Sequence, residues 1–238
     1  MSRKKYITSG GLAFTEKGDM KKLRRYSKKG WHVQKFTFMG YTLEEGEETD
    51  YVYTIDYRLL DDDEEEEYYN LFSSAGWSHV TSEGNIHLFR AYPGTKPIYT
   101  DQDTTATKYE NSSHYFKKWT IPSIAITALL WIGVMLTSGI LNTVLLTAAI
   151  VGTVLTFPLA WTMAATYRNK WEVEGKKGWV NAVKMAPYLL VILAVVLLFS
   201  VSDKNLAVYV LSFMVIGAVI FPTAIWLASS LYHKLRQN

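Results

Sequence analysis

Two short stretches of this chain are nearly the same, SKKGWHV at Ser27–Val33 and SSAGWSHV at Ser73–Val80. Their glycines, Gly30 and Gly76, lie 46 residues apart, and each separates a helical pattern from a strand that opens with Trp. Glycine adopts the positive φ that a chain needs to leave a helix. The Trp that follows can bury a large ring beneath that helix. The pair therefore predicts two copies of one α/β unit.

The repeat indicates an α+β fold with two units for residues 1–93. The predicted elements are a leading strand, a helix at 20–29 capped by Asp19, strands at 31–43 and 51–59, a helix at 61–75 and a final hairpin. This βαββαββ order is close to a ferredoxin-like sandwich, in which one antiparallel sheet is covered by two helices. That fold hosts many functions, so it decides none of them.

The second half of the chain has a different composition. Residues 1–118 carry 17 Lys and Arg against 19 Asp and Glu, whereas residues 119–238 carry 8 against 3. No charged residue occurs from Trp119 to Tyr167, which is long enough for two membrane spans of about 20 residues each. Further apolar runs predict a third span at Met185–Ser202 and a fourth from Leu206 to about Tyr232. Residues 119–238 are therefore predicted to form an all-α four-helix transmembrane domain.

The apolar half also repeats itself, because 65 residues separate Pro122 from Pro187 and Trp161 from Trp226. Two helical hairpins of the same orientation would produce this spacing. Pro122 and Pro187 are predicted to begin helices, where proline is tolerated. The candidate helix kinks are at two prolines inside predicted spans, Pro158 and Pro222.

Positive charge predicts the orientation of this multi-pass domain. Lys117 and Lys118 precede the first span, the loop at 168–184 holds five further cations, and Lys234 and Arg236 follow the last span. Because cytoplasmic loops are rich in Lys and Arg, we expect both termini and the loop 168–184 to be cytoplasmic. Residues 94–118 are polar and predict a linker that tethers a cytosolic domain at 1–93 to the membrane.

Two surfaces of the first half are candidate contact sites. Six cations within nine residues of the first helix suit an acidic partner or anionic lipid; they are Lys21, Lys22, Arg24, Arg25, Lys28 and Lys29. Tyrosines alternate along the return strand at Tyr51, Tyr53 and Tyr57. An open sheet face that carries them could bind a ligand, form a homo-oligomer or dock on the membrane domain. An ordinary solvated face also accounts for the cations.

The sequence offers little evidence of catalysis or of a bound cofactor. No nucleotide-binding glycine motif and no nucleophile elbow is present. The final hairpin brings His79 and His87 together, but the chain has no Cys and shows no third ligand. The acidic run Asp61–Glu67 is typical of a solvated helix start. We therefore predict no catalytic site, no metal, no cofactor and no nucleic-acid partner.

The helix–GW–strand pattern, the strand DYVYTIDYR at Asp50–Arg58, the AGW of the second unit and FRAYPGTKPIYTD at Phe89–Asp101 together resemble the DUF2812 family. The resemblance covers roughly Lys4 to Asp101. It implies a protein of the bacterial cytoplasmic membrane, and it implies no catalytic residues because the family has none assigned.

These observations leave two classes of function open. The first is a non-enzymatic sensory or regulatory membrane protein, whose cytosolic domain binds a ligand or a protein partner. The second is a component of a transport, export or resistance system, in which the kinked hairpins line a path. A membrane enzyme would need polar side chains at the cytoplasmic mouth, where Arg168, Glu172 and Glu174 are the available candidates.

Overall fold

The computed structural model describes residues 3–61 and 63–200 of the chain. Six strands and two helices form an N-terminal region, which we call the head, and three further helices follow it. The strands are β1 (Lys4–Thr8), β2 (Trp31–Thr37), β3 (Gly40–Glu45), β4 (Val52–Tyr57), β5 (Ser78–Glu83) and β6 (Ile86–Ala91). The helices are α1 (Leu12–Ser27), α2 (Glu65–Ser74), α3 (Gln102–Leu136), α4 (Gly139–Val173) and α5 (Lys177–Ser200).

The head consists of two βαββ units, each with its own three-stranded sheet. The strand orders are β1-β3-β2 and β4-β6-β5, and all four pairings are antiparallel. In each unit the third strand therefore lies between two strands that run parallel to one another, as in a split βαβ motif. The twofold repeat is present, but β4 opens the second unit instead of closing the first. The predicted βαββαββ order and its single ferredoxin-like sheet are replaced by βαβββαββ and two sheets.

The extra strand arises because the predicted strand at 31–43 folds into the β2–β3 hairpin. Met39 at the turn has a φ of 57°, and the Tyr6 hydroxyl donates to the carbonyls of Phe38 and Met39, both at 3.1 Å. A Cβ at Gly40 would lie 2.1 Å from the Ile7 carbonyl oxygen. Only glycine at position 40 lets β3 approach β1 this closely, and the turn at Met39 puts Gly40 at the start of β3.

The two units share a detail that the sequence repeat did not reveal. The β2–β3 register shifts between Val33 and Lys35, and the β5–β6 register shifts between His79 and Thr81. The skipped residues, Gln34 and Val80, again lie 46 positions apart. A bulge bends its strand and increases the local twist, so both sheets are curved at the same point of the unit.

Two apolar clusters hold the head together. The larger joins both sheets through Ile7, Leu43, Ile55 and Leu88 and includes Leu23 of α1. The smaller lies between α2 and β6, where the ring of Phe72 stacks on that of Phe89 at 4.2 Å. Trp77 belongs to the smaller cluster and is buried, whereas its counterpart Trp31 is half-buried.

Asp19 lies inside α1 and not at its start, because the helix already begins at Leu12. The predicted N-cap is therefore wrong. The side chain of Asp19 is buried and accepts hydrogen bonds from the Ser9 hydroxyl, the Gly10 amide at 2.9 Å and the Tyr41 hydroxyl at 3.0 Å. These bonds attach α1 to the end of β1 and to β3.

The polar segment predicted as a linker is largely helical. Asp101 caps α3 by accepting a hydrogen bond from the Thr104 amide at 2.8 Å, and the helix then continues without interruption to Leu136. Residues 102–118 therefore belong to the same helix as the first predicted span. Pro122 lies within α3, and Pro187 lies within α5, so neither begins a helix.

Helices α3 and α4 are each long and apolar enough to cross a membrane, with mean hydropathies of 1.8 and 2.0 in their most apolar windows. They form a hairpin that turns at Thr137 and Ser138, inside the uncharged run from Trp119 to Tyr167. Gly152 lies against Thr127, and the Trp131 indole donates to the Thr153 hydroxyl at 3.0 Å. Small residues and interhelical hydrogen bonds of this kind let apolar helices pack closely.

The remaining predictions for the second half are met only in part. Pro158 lies within α4, which remains one helix to Val173, and α5 begins at Lys177, so the loop predicted at 168–184 is shorter than expected. The third predicted span coincides with α5 as far as Ser200. The fourth span, the kink at Pro222 and the C-terminus lie outside the described residues.

The paired glycines give a matched test of the two units. Both have positive φ, but a Cβ would lie 2.6 Å from the Gly46 carbonyl oxygen at Gly30 and 3.3 Å from a Thr95 methyl group at Gly76. Left-handed backbone alone costs a non-glycine residue about 1–2 kcal/mol. We expect Gly76→Ala to lower the thermal midpoint of the full-length protein modestly and Gly30→Ala to lower it clearly more. Equal midpoints for the two variants would contradict the close approach at Gly30.

Candidate functional site

The head meets α3 at a buried ion pair. Lys108 of α3 contacts the carboxylate of Glu16 on α1, and their side chains are only 5% and 10% exposed. Three tyrosine rings surround the ammonium group, with centroids at 5.5 Å for Tyr57, 5.5 Å for Tyr99 and 5.2 Å for Tyr109. We call these five residues the Lys108 cluster.

The cluster compensates for the cost of burying two charges. The Tyr57 hydroxyl donates a hydrogen bond of 3.2 Å to Glu16, and aromatic faces attract a desolvated cation. Burial, followed by the negative charge of Glu16, raises the pKa values of Tyr57 and Tyr109 well above the ordinary tyrosine range. Both phenols therefore remain neutral donors. Removal of either charged partner would leave the other buried without compensation.

A second buried carboxylate lies beside this cluster. Asp56, at the end of β4, accepts hydrogen bonds from the Tyr57 amide at 2.7 Å, the Tyr68 hydroxyl at 2.6 Å and the Tyr99 hydroxyl. Burial, together with the charge of Asp56, raises the pKa values of Tyr68 and Tyr99. Tyr99 contacts both Asp56 and Lys108, so it joins the two buried charges.

A cavity of about 890 Å³ opens next to these groups, between the head and the N-terminal part of α3. We call it the junction cavity. Its lining combines one carboxylate, several cations, polar uncharged groups and aromatic rings; it includes Asp56, Arg58, Asn85, Tyr99, Thr104, Thr107, Lys108, Asn111, His114, Tyr115, Lys118 and Trp119. The last two residues are those at which α3 becomes apolar.

The head also contacts α4. The Asn169 amide donates to the Ala13 carbonyl of α1 at 2.8 Å, and Lys170 pairs with Glu110 of α3 at 2.9 Å. A smaller cavity of about 360 Å³ lies among α1, α3 and α4 and is lined by Arg168 and Glu172 among others. The head is thus fixed to both helices of the hairpin near the ends of their apolar segments.

The two histidines of the final hairpin meet through a serine. His87 Nε2 lies 2.8 Å from the Arg58 carbonyl oxygen, which can only accept, so His87 carries its proton on Nε2. Its Nδ1 then accepts from Ser82 at 2.7 Å, and His79 Nε2 donates to the same hydroxyl at 2.7 Å. Partial burial, followed by the electrostatic effect of the neighbouring His87, lowers the pKa of His79 below its usual value.

The structure divides the six predicted basic residues into two sets. Arg24 and Lys28 pair with Asp50 at 2.7 Å and 3.2 Å, and Lys22 donates to the Thr8 carbonyl at 2.6 Å. The guanidinium of Arg24 lowers the pKa of Asp50 to about 2. The other set is exposed and consists of Lys21, Arg25 and Lys29.

The tyrosine face of β4 is not open. Tyr53 and Tyr57 are buried in the larger core cluster, and burial raises the pKa of Tyr53 to about 12. Tyr51 is half-buried against the Tyr92 ring, with Arg90 4.7 Å above its face. The expectation of an exposed sheet face was wrong, because the two sheets and α1 cover it.

The sequence did not single out the residues that matter most at the junction, Glu16, Asp56, Tyr99 and Lys108. Glu16 and Lys108 lie 92 positions apart, and nothing local marks either as buried. An isolated lysine near the start of a long helix, between tyrosines at 99 and 109, was the one available signal. Among the described residues no group of three His, Asp or Glu side chains is arranged to hold a metal.

Comparison with known proteins finds a family model that matches the part of the chain containing this junction. The DUF2812 model, described as a protein of unknown function, matches residues 15–123. The predicted resemblance, placed at roughly Lys4 to Asp101, is confirmed for residues 15–101, and the match continues into α3. The match begins within α1 and ends within the apolar part of α3, so it contains Glu16, Asp56 and Lys108. No curated protein and no solved structure matches the chain.

The buried ion pair can be tested with a double-mutant cycle. Removal of one partner of a buried pair typically costs about 3–5 kcal/mol, whereas removal of both costs less. We expect Lys108→Met and Glu16→Gln each to lower the thermal midpoint of the full-length protein strongly, and the double variant to recover part of the loss.

The exposed pair between Arg3 and Glu45 serves as the control, since its side chains are 77% and 37% exposed. Arg3→Met should leave the thermal midpoint nearly unchanged, because exposed ion pairs contribute little to stability. Additive losses in the Lys108–Glu16 cycle would show that the two charges do not interact in the folded protein.

The histidine pair predicts a pH dependence. In the folded protein the pKa of His79 lies below the 6.5 of a free histidine. Between these two pKa values the unfolded chain therefore binds more protons than the folded protein does. Stability should therefore fall as the pH drops below about 6.5 and level off under the folded pKa. Thermal midpoints between pH 7.5 and pH 5 should show a smaller loss for His79→Phe than for the wild type. His114→Phe, which alters a largely exposed histidine, should leave the loss unchanged.

Proposed function

We propose that this protein is a non-enzymatic regulatory or sensory protein of the bacterial cytoplasmic membrane. Its head binds a ligand or a protein partner in the cytosol, and α3 transmits the state of the head to the apolar helices. The observation that carries the proposal is the continuity of α3. One helix holds the buried Lys108 and Tyr109 against the head and continues into an apolar segment suited to a membrane.

The contacts at both ends of the junction support transmission. A change that moves α1 acts on α3 through Glu16 and Lys108, and on α4 through the bond between Asn169 and the Ala13 carbonyl. Because α3 and α4 pack along their lengths, a shift of either helix at the junction changes the hairpin as a whole.

The topology is part of the proposal. Positive charge is concentrated at the end of the helical hairpin where the head lies. Helix α3 carries Lys117 and Lys118 there, and helix α4 carries Arg168 and Lys170. By the positive-inside rule this end faces the cytoplasm. The chain would then cross the membrane several times, with α5 as a further span and the termini inside the cell.

The proposal predicts that a perturbation of the head reaches the apolar part of α3. We would introduce Glu16→Gln into the full-length protein in lipid nanodiscs and measure hydrogen exchange of residues 121–132. Loss of the charge that pairs with Lys108 should alter exchange there. In the background of Lys117→Pro, which removes a backbone hydrogen bond and kinks α3 between the head and this segment, the effect should be lost.

Lys117→Ala is the matched control, because it removes the same exposed side chain and keeps the helix intact. The effect of Glu16→Gln should persist in that background. Unchanged exchange after Glu16→Gln in the otherwise native chain would contradict the proposal. It would mean that the apolar helices work independently of the head, as in a transport component.

A further inference from the structure

The junction cavity lies between the head and α3, next to the point where α3 becomes apolar. Its volume of about 890 Å³ exceeds what a few waters need, and its lining comes from β4, the β5–β6 turn and α3. Lys118 and Trp119, at one boundary of the cavity, are exposed, and Trp119 is 61% accessible. Lysine and tryptophan are residues that favour the headgroup region of a bilayer.

Asn85 supplies a side-chain amide that has no hydrogen-bond partner within the described part of the chain. Asn85 lines the cavity, and only 5% of its surface is accessible. Its carbonyl oxygen accepts from the Arg58 amide at 2.9 Å, but within residues 3–61 and 63–200 its side-chain amide forms no hydrogen bond. Because Asn85 lines the cavity, this amide is open to a ligand or to water there.

Cations dominate the charge that remains available in the cavity. Lys108 is neutralised by Glu16, and all the hydrogen bonds that Asp56 accepts come from the head and Tyr99. Arg58 lies over the Tyr68 ring at 5.6 Å and is exposed, and Lys118 is exposed, so both can bind a ligand. Asn111 adds an uncharged donor on the α3 wall, whereas the Thr104 and Thr107 hydroxyls already donate to the Asp101 carboxylate and the Asp103 carbonyl.

We propose that the junction cavity binds a ligand with an anionic phosphate group, held by Arg58 and Lys118 and by the amide of Asn85. Guanidinium and ammonium groups are the cations that proteins use for phosphate. The chemistry is shared by a phospholipid headgroup and by a soluble phosphate ester. The proposal rests on the membrane location proposed above, because that location brings a headgroup to Trp119.

Native mass spectrometry of the full-length protein tests the lipid source. The protein would be released from nanodiscs of phosphatidylcholine alone or with phosphatidylglycerol, and retained lipid would be titrated. We expect Arg58→Gln with Lys118→Gln to weaken retention of phosphatidylglycerol by about tenfold or more, since each lost contact between a cation and an anionic lipid costs about fivefold in affinity. Retention of phosphatidylcholine, whose choline group offsets the charge of its phosphate, should change much less.

Two further variants separate the site from general charge effects. Lys29→Gln with Lys35→Gln removes the same charge from exposed positions outside the cavity and should leave retention within about twofold. Thr107→Trp keeps every charge and fills the cavity from the exposed face of α3, so it should weaken retention as the double variant does. Thermal midpoints close to that of the wild type would show that the variants are folded.

The soluble source is tested by titrating glycerol 3-phosphate and inorganic phosphate into the protein in phosphatidylcholine nanodiscs. Binding that Arg58→Gln with Lys118→Gln abolishes would assign the site to a soluble phosphate ester. Equal lipid retention by all variants, with no soluble binding, would overturn the proposal. The hydrogen-exchange test of head-to-helix coupling does not depend on this outcome, so each proposal can fail alone.

Discussion

The ion pair between Lys108 and Glu16 is the constraint on which the arrangement of this molecule depends. Two charges that are 5% and 10% exposed persist only if the geometry keeps them together, because either one alone would be strongly unfavourable at this depth. The head and the first part of α3 must therefore stay docked. The tyrosines at 57, 99 and 109 exclude water from the pair and leave little room for an alternative position of α3.

This docking gives the apolar hairpin a fixed relation to the head. The helix that carries Lys108 also carries Trp119 and the apolar segment that follows, and α4 returns to contact α1 at Ala13. The junction cavity exists because three parts of the chain meet there: the end of β4, the β5–β6 turn and α3. A ligand in that cavity would contact both the head and the helix, which is the position from which binding can bias a coupled movement.

The twofold repeat and the apolar hairpin could be predicted from the sequence, because both depend on local patterns. Gly30 and Gly76 have positive φ, and 49 consecutive residues without charge are typical of long apolar helices. The hairpin at Met39 was missed because its turn has no Asn-Gly or Asp-Gly signal and sits inside a run with strand character. That one turn moved β4 into the second unit and divided one expected sheet into two.

The junction could not be predicted because its residues are distant in sequence and ordinary in type. Residues 102–118 look like a linker because they are polar. A docked helix needs only one or two buried positions per turn, and in this segment the buried residues include a lysine and two serines. Tyr53 and Tyr57 were correctly placed on one face of β4, but whether that face is open depends on how the first sheet and α1 pack on it. Tertiary contacts decided both cases.

The most direct test of the central claim is a distance distribution between the head and the apolar part of α3. The chain has no cysteine, so Glu66→Cys on α2 and Met135→Cys near the end of α3 can be spin-labelled without background. Both positions are exposed. A head that is docked through Lys108 and Glu16 predicts one narrow distribution by pulsed electron paramagnetic resonance in nanodiscs, which broadens in Lys108→Met. A broad distribution in the otherwise native chain would mean that the head is tethered and not docked, and would contradict the account.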